Sequence, residues 1–152
     1  SDVYKRQGYN VAIPQPDGAG VANAAKFALA SSGISPDEVG YINAHATSTP
    51  MGDTAEMKAI KSVFGPSPKA MISSTKAITG HGLSLAGVME AAFCALSMKE
   101  GFTPGSAHIS EPDPETEGLD IITETQMRSP DISMSLSSGF GGANVAIVLQ
   151  KV

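Results

Sequence analysis

Two of the three histidines, one lysine and two glutamates in this 152-residue chain stand where their types and neighbours could do chemistry. His45 lies in Asn43-Ala44-His45-Ala46-Thr47-Ser48-Thr49, and His81 closes Ser74-Thr75-Lys76-Ala77-Ile78-Thr79-Gly80-His81. The two lie 36 residues apart, with no Cys nearby and no zinc-finger or protease ligand spacing, so no metal site is expected. Two neutral imidazoles can instead donate N–H bonds to one oxygen that gains negative charge, as in an enolate or a tetrahedral oxyanion. The plainer alternative is a pair of loop histidines satisfied by backbone groups.

Lys76 ends Ser73-Ser74-Thr75-Lys76, which matches the S-x-x-K of serine acyl-transferring, penicillin-recognising enzymes. The companion S-D-N and K-T-G elements are absent, and Ser73 falls at the end of a predicted strand rather than opening a helix. A lysine bracketed by Thr75, Thr79 and His81 in a tight loop should have a partner, and Glu56 and Glu90 are the candidates. Glu56 also fits an acidic variant of the capping box, three residues after Asp53, and the two roles are compatible. Glu90 sits among Val88, Met89, Ala91, Ala92 and Phe93, where an unpaired buried carboxylate would be costly, so a positive or hydrogen-bonding group should reach it. Cys94, one turn later and flanked by apolar residues, reads as core, because reactive thiols favour helix N-termini and cationic surroundings.

The elements that must position these groups follow from periodicity. Val21, Ala24, Ala25, Ala28 and Leu29 predict a helix over 18–32 closed by Gly33, followed by a strand at 39–44 and a loop from His45 to Gly52. A second helix is expected from Asp53 to Phe64, then a strand at 70–73, a loop through Gly82 and a buried helix from Leu83 to Lys99. Beyond a Pro-rich acidic loop at 111–115 come a short apolar run at 119–122 and a closing β-hairpin at 132–137 and 143–149. The order is that of a layered α/β fold. Right-handed crossovers bring the loops after the first two strands together at the carboxyl edge of the sheet, where such folds bind ligands. The glycine-rich turn Ser137-Ser138-Gly139-Phe140-Gly141-Gly142 offers a third contribution.

Composition narrows the function classes. With 41% hydrophobic, 5% aromatic and no Trp, the chain predicts one globular unit with a core of aliphatic residues and Ala. Ten Lys and Arg against 15 Asp and Glu give a net charge of −5, which offers no support for nucleic-acid or anionic-membrane binding. No apolar run reaches membrane-spanning length and no secretory pattern opens the chain, so the expected compartment is the cytoplasm. A single Cys fits that expectation. Residues 1–7 read as a junction or cloning scar, leaving one domain over 8–152.

Asn43-Ala44-His45-Ala46-Thr47-Ser48-Thr49-Pro50-Met51-Gly52-Asp53, then 74–81, then Gly139-Phe140-Gly141-Gly142-Ala143-Asn144 closely resemble, in order and spacing, the motifs of β-ketoacyl-acyl-carrier-protein synthases. The resemblance runs from about Gly8 to Val152, is nearest to the type I and II elongating enzymes, and covers only their C-terminal half. It implies the C-terminal half of a thiolase-like fold, a mixed five-stranded sheet layered with helices, serving a decarboxylating condensation with malonyl-acyl carrier protein. By position, His45 and His81 would stabilise the enolate, Lys76 would be the motif lysine, and Glu56 its acidic partner. Glu90 would occupy a buried acidic position, Thr47 and Thr49 would bind the pantetheine arm, and Phe140 would be the aromatic gate.

The resemblance further implies acyl carrier protein as partner, a homodimer for the full-length protein, and no cofactor beyond the carrier's phosphopantetheine. The catalytic cysteine would lie in the absent N-terminal half, so the chain alone should not condense. Ala46 replaces a usual Gly, Ser138 a usual aromatic, and Gly82 and Ser84 vary the segment after His81. These departures suggest a shifted chain-length preference, toward a polyene or polyketide. A non-condensing partner subunit of the same fold and a serine acyl-enzyme using Ser73 and Lys76 are the competing readings.

Overall fold

The computed structural model describes residues 9–152, so the segment 1–7 lies outside the described residues. Helix α1 (Ala19–Ser32) begins after Gly18, whose φ of 70° turns the chain, and ends at Gly33, again at φ 70°, whose N–H caps the carbonyl of Leu29. Strand β1 (Tyr41–Asn43) leads into helix α2 (Pro50–Phe64), and strand β2 (Met71–Ser73) into a one-turn helix α3 (Lys76–Thr79) where a loop was expected. A 3-10 turn at Leu83–Leu85 opens helix α4 (Ala86–Glu100). Strands β3 (Asp120–Ile121), β4 (Ile132–Gly139) and β5 (Ala143–Gln150) complete the chain.

The five strands form one mixed sheet in the order β3-β2-β1-β4-β5, with the first four parallel and β5 antiparallel to β4. Period-two alternation divides the side chains. Ile42, Ile72, Ile132, Met134 and Leu136 face α1 and α2, joining Ala25, Leu29, Met57 and Ile60 in the main core. Tyr41, Met71 and Ile122 face the other way and pack with Cys94 of α4. Gly18 lets α1 and α2 close together, since a Cβ there would lie 2.0 Å from the carbonyl oxygen of Ala55.

Two expectations are corrected. Helix α2 starts at Pro50, with Thr49 before it, so Glu56 lies in the second turn and is not the third residue of a capping box. Proline at the first helical position, with φ already set and no N–H to leave unpaired, fixes the earlier start. Helix α4 is not buried all round. The sheet covers its Glu90, Cys94, Ser97 and Met98, while Val88 and Leu96 are exposed, because no element among the described residues packs on its outer side. No helix among the described residues is long and apolar enough to cross a membrane.

Candidate active site

Parallel pairing of β1 and β2 delivers the loops that follow them side by side, as the crossover rule requires. The rings of His45 and His81 meet edge to face, 84° apart in plane with centroids 5.3 Å apart. Both line an open cleft of about 320 Å³, with Val88, Ser137, Gly139 and Ile147 among the other walls.

His45 is held through its backbone. Its N–H donates to Oε1 of Glu56 at 2.7 Å, and the N–H of Ala46 donates to Oε2 at 2.8 Å. The hydroxyl of Ser74 donates to the Ala46 carbonyl at 3.2 Å, tying the same loop to the end of β2. Burial pushes the Glu56 carboxyl up to about 7, outweighing the two backbone bonds that favour its ionised form. Burial also lowers the His45 imidazole to about 4, aided by the charge of Lys76 and by His81, so His45 is neutral at pH 7. Its Nδ1 is buried without a partner, which leaves Nε2 as the nitrogen for the cleft.

The tautomer of His81 is fixed differently. The backbone N–H of Leu83 donates to His81 Nδ1 at 3.2 Å, so in the neutral ring the proton sits on Nε2. Leu83 holds a φ of 51°, a left-handed conformation that is strained for leucine and that accompanies this contact.

Glu56 is therefore not the partner of Lys76. Lys76 Nζ pairs with Oε1 of Glu90, both side chains being almost fully buried, and the other Glu90 oxygen accepts from Ser137 Oγ at 3.4 Å. Geometry decides between the two carboxylates: Glu56 is spent on the His45 loop, whereas Glu90 projects from the buried side of α4. The expectation that a buried Glu90 must have company holds.

Thr47 and Thr49 place their hydroxyls 3.1 Å apart, but neither lines the cleft. Phe140 is 81% exposed at the turn between β4 and β5, outside the cleft, although its neighbours Ser138 and Gly139 line it. Cys94 is fully buried, and burial together with the charge of Glu90 pushes its thiol up to about 12, so it is core. The serine acyl-enzyme reading is contradicted. Ser73 is buried and donates its hydroxyl proton to the Pro104 carbonyl, while Lys76 is committed to Glu90 and leaves no free base.

Sequence places Ser137 only within the glycine-rich turn, without its bond to Glu90, and gives Leu83 no role at the site. Ser133, Ser135 and Ser137 alternate with Ile132, Met134 and Leu136, a period-two signal that places a polar row on the α4 side of β4. Leu83 carries no such signal, since its backbone alone does the work.

The family model described as "Beta-ketoacyl synthase, C-terminal domain" matches residues 2–110. The chain belongs to the β-ketoacyl synthase family. The chain is 45% identical over 145 residues to the "3-oxoacyl-[acyl-carrier-protein] synthase 2" of Staphylococcus aureus (strain COL), covering 94% of this chain and 35% of that protein. It is 44% identical over 137 residues to the "3-oxoacyl-[acyl-carrier-protein] synthase 1" of Escherichia coli (strain K12), covering 90% of this chain and 33% of that one. The chain thus spans about a third of the length of the curated relatives it matches.

Among solved structures, "The ishigamide ketosynthase/chain length factor" superposes with a TM-score of 0.88 at 28% identity, over 95% of this chain and 35% of that one. A second, "AntDE:AntF (apo): type II PKS acyl-carrier protein in complex with its ketosynthase bound to the hexaketide", gives a TM-score of 0.86 at 33% identity, over 95% of this chain and 36% of that one. The fold of this β-ketoacyl synthase domain is thiolase-like, with the mixed five-stranded sheet layered by helices that the sequence motifs implied.

Proposed function

We propose that the chain provides the enolate-stabilising side of a decarboxylating Claisen condensing enzyme that extends an acyl chain with malonyl-acyl carrier protein. The observation that carries this reading is the pair of imidazoles, 5.3 Å apart and on one cleft, with the proton of His81 fixed on Nε2 and His45 held neutral. When the malonyl carboxylate leaves as carbon dioxide, its bonding electrons pass into the thioester as an enolate. Nε2–H groups from His45 and His81 would both donate to that oxygen, giving stabilisation at the point where charge develops. The enolate carbon then attacks an acyl thioester, forming the new carbon–carbon bond and expelling a thiolate.

That thioester would sit on a cysteine outside this chain, a reading supported by Cys94 being buried and high in pKa. The chain alone is therefore expected not to condense. Acyl carrier protein is the partner, with its phosphopantetheine passing Thr47 and Thr49 outside the cleft, and Phe140, exposed on the turn beside the wall residues Ser138 and Gly139, is the gate at its edge. The full-length protein is a homodimer acting in the cytoplasm, with no cofactor of its own and an acyl preference shifted toward a polyene or polyketide. One structural neighbour, a type II ketosynthase in complex with its acyl-carrier protein, supports the partner. Retention of His45, Lys76 and His81 together weighs against a non-condensing partner subunit.

Malonyl-acyl carrier protein decarboxylation by the full-length protein tests the assignment. His45→Ala and His81→Ala should each reduce the rate by roughly 10²–10³, the usual cost of losing one oxyanion donor. Near-normal turnover in either variant removes that histidine from the mechanism.

A further inference from the structure

Asn144, the last residue of the glycine-rich motif, has no part in the chemistry above. Its place in the hairpin gives it one. Strands β4 and β5 pair down to Gly139 and Ala143, leaving Phe140, Gly141 and Gly142 as the turn, with the two glycines at φ 74° and 78°. Glycines in such a turn lose much conformational freedom on ordering, and exposed Phe140 supplies little packing to hold it. Its shape therefore depends on a few polar bonds.

Asn144 makes two of them, one on each side of the turn. Its Oδ1 accepts from Ser138 Oγ at 3.0 Å, and its Nδ2 donates to the carbonyl of Gly142 at 3.0 Å. Outside the hairpin, the N–H of Gly141 donates to the carbonyl of Val11 at 2.7 Å. Helix α1 runs so close that a Cβ on Gly20 would lie 2.4 Å from Asn144 Nδ2 and 3.3 Å from its Cγ. Ser138, bonded directly by Asn144, lines the His45–His81 cleft together with Gly139.

We propose that Asn144 is a positioning residue that holds the glycine-rich turn, and with it the cleft wall made by Ser138 and Gly139, and that Gly20 has no side chain so that Asn144 has room to do so. The kinetic consequence rests on the proposed function of the cleft; the structural one does not.

Amide hydrogen exchange on the full-length protein, followed in peptides covering 138–142 and, as reference, strand β2, reads the structural consequence. Asn144→Ala should speed exchange of the turn by about tenfold or more and leave β2 unchanged. Gly20→Ala should loosen the turn in the same way. Combining them should add nothing to Asn144→Ala alone, because the clash disappears with the side chain. Unchanged exchange in Asn144→Ala, or additive effects in the double variant, would overturn the proposal. Asn144→Asp keeps the acceptor for Ser138 and loses the donor to Gly142, so it should fall between.

Steady-state kinetics then separate positioning from a purely structural tie. Asn144→Ala should raise KM for the acyl-carrier substrate several-fold while malonyl decarboxylation stays within about twofold. A loosened turn with unchanged KM would overturn the positioning role. Failure of the condensing reading would show instead as full decarboxylation by His45→Ala.

Discussion

His45 and Glu56, which α2 presents to the His45 loop, carry opposite pH signatures. His45 is lowered in the fold from 6.5 to about 4, so between those values the unfolded chain binds a proton that the folded one refuses. Its contribution is intact above pH 6.5 and is lost as pH falls toward 4. Glu56 is raised from 4.5 to about 7, so the folded chain retains a proton the unfolded one has released. Its contribution is intact below pH 4.5 and is lost as pH rises through 7. Across pH 4.5–6.5 the two slopes oppose each other. Glu56→Gln removes only the falling component, so the stability of the variant relative to the parent should improve steadily as pH rises from 4.5 to 7. Urea midpoints of the two proteins at intervals across that range check this, and a gap independent of pH would show that Glu56 does not titrate there. The same residue shows where sequence reading stopped short. The histidines and Lys76 are legible because their motifs fix identity and spacing, whereas the partner of Lys76 depends on which side of the sheet each carboxylate faces. That is settled by tertiary packing, and two acidic residues looked equivalent until α2 and α4 were placed on opposite faces.

Paired glycines measure what the approach of α1 to α2 contributes at the scale of elements. Gly18 and Gly33 flank α1 with the same φ of 70°, so alanine suffers the same left-handed strain at either end, on the order of 1–2 kcal/mol. Around Gly33 nothing lies within 4 Å of a new Cβ, but at Gly18 that atom would meet the Ala55 carbonyl at 2.0 Å. Gly33→Ala should therefore cost the strain alone, and Gly18→Ala that amount plus a further ~2 kcal/mol or more as α1 is pushed off α2. Equal losses in urea unfolding would mean that the helices yield freely at this contact. Most elements were readable because their stop signals are local: Gly33, Gly65-Pro66 and the turn at Gly141-Gly142 each end an element where φ or a missing N–H demands it. The start of α2 was misread because Asp53 with Glu56 mimics a capping box inside a helix already begun at Pro50. The one-turn helix at Lys76 was missed because four residues are too few to show a period.

Apolar surface at the scale of the whole molecule is unevenly spent. One face of the sheet is sealed by α1 and α2, but on the other α4 leaves a continuous flank around the cleft where Leu83 is 77%, Val88 68%, Val145 53% and Ile147 40% exposed. Single exposed aliphatics are ordinary; four lining one cleft form a patch of the kind that marks an interaction surface or an aggregation liability. A helix that is apolar all round predicts burial, and here the burial is only half supplied by the described residues. The chain on its own should therefore bind an apolar fluorescent dye and associate with rising concentration, both measurable in dilute buffer alongside sedimentation velocity. Val88→Ser combined with Ile147→Ser should weaken both effects, since each removes a branched side chain from the patch without touching Glu56, Glu90 or Lys76. The full-length protein, if its remaining sequence covers this flank, should show little dye enhancement. A strictly monomeric chain with no dye enhancement would mean that α4 and β5 close over the patch in solution, and that His45 and His81 are sheltered by this chain alone.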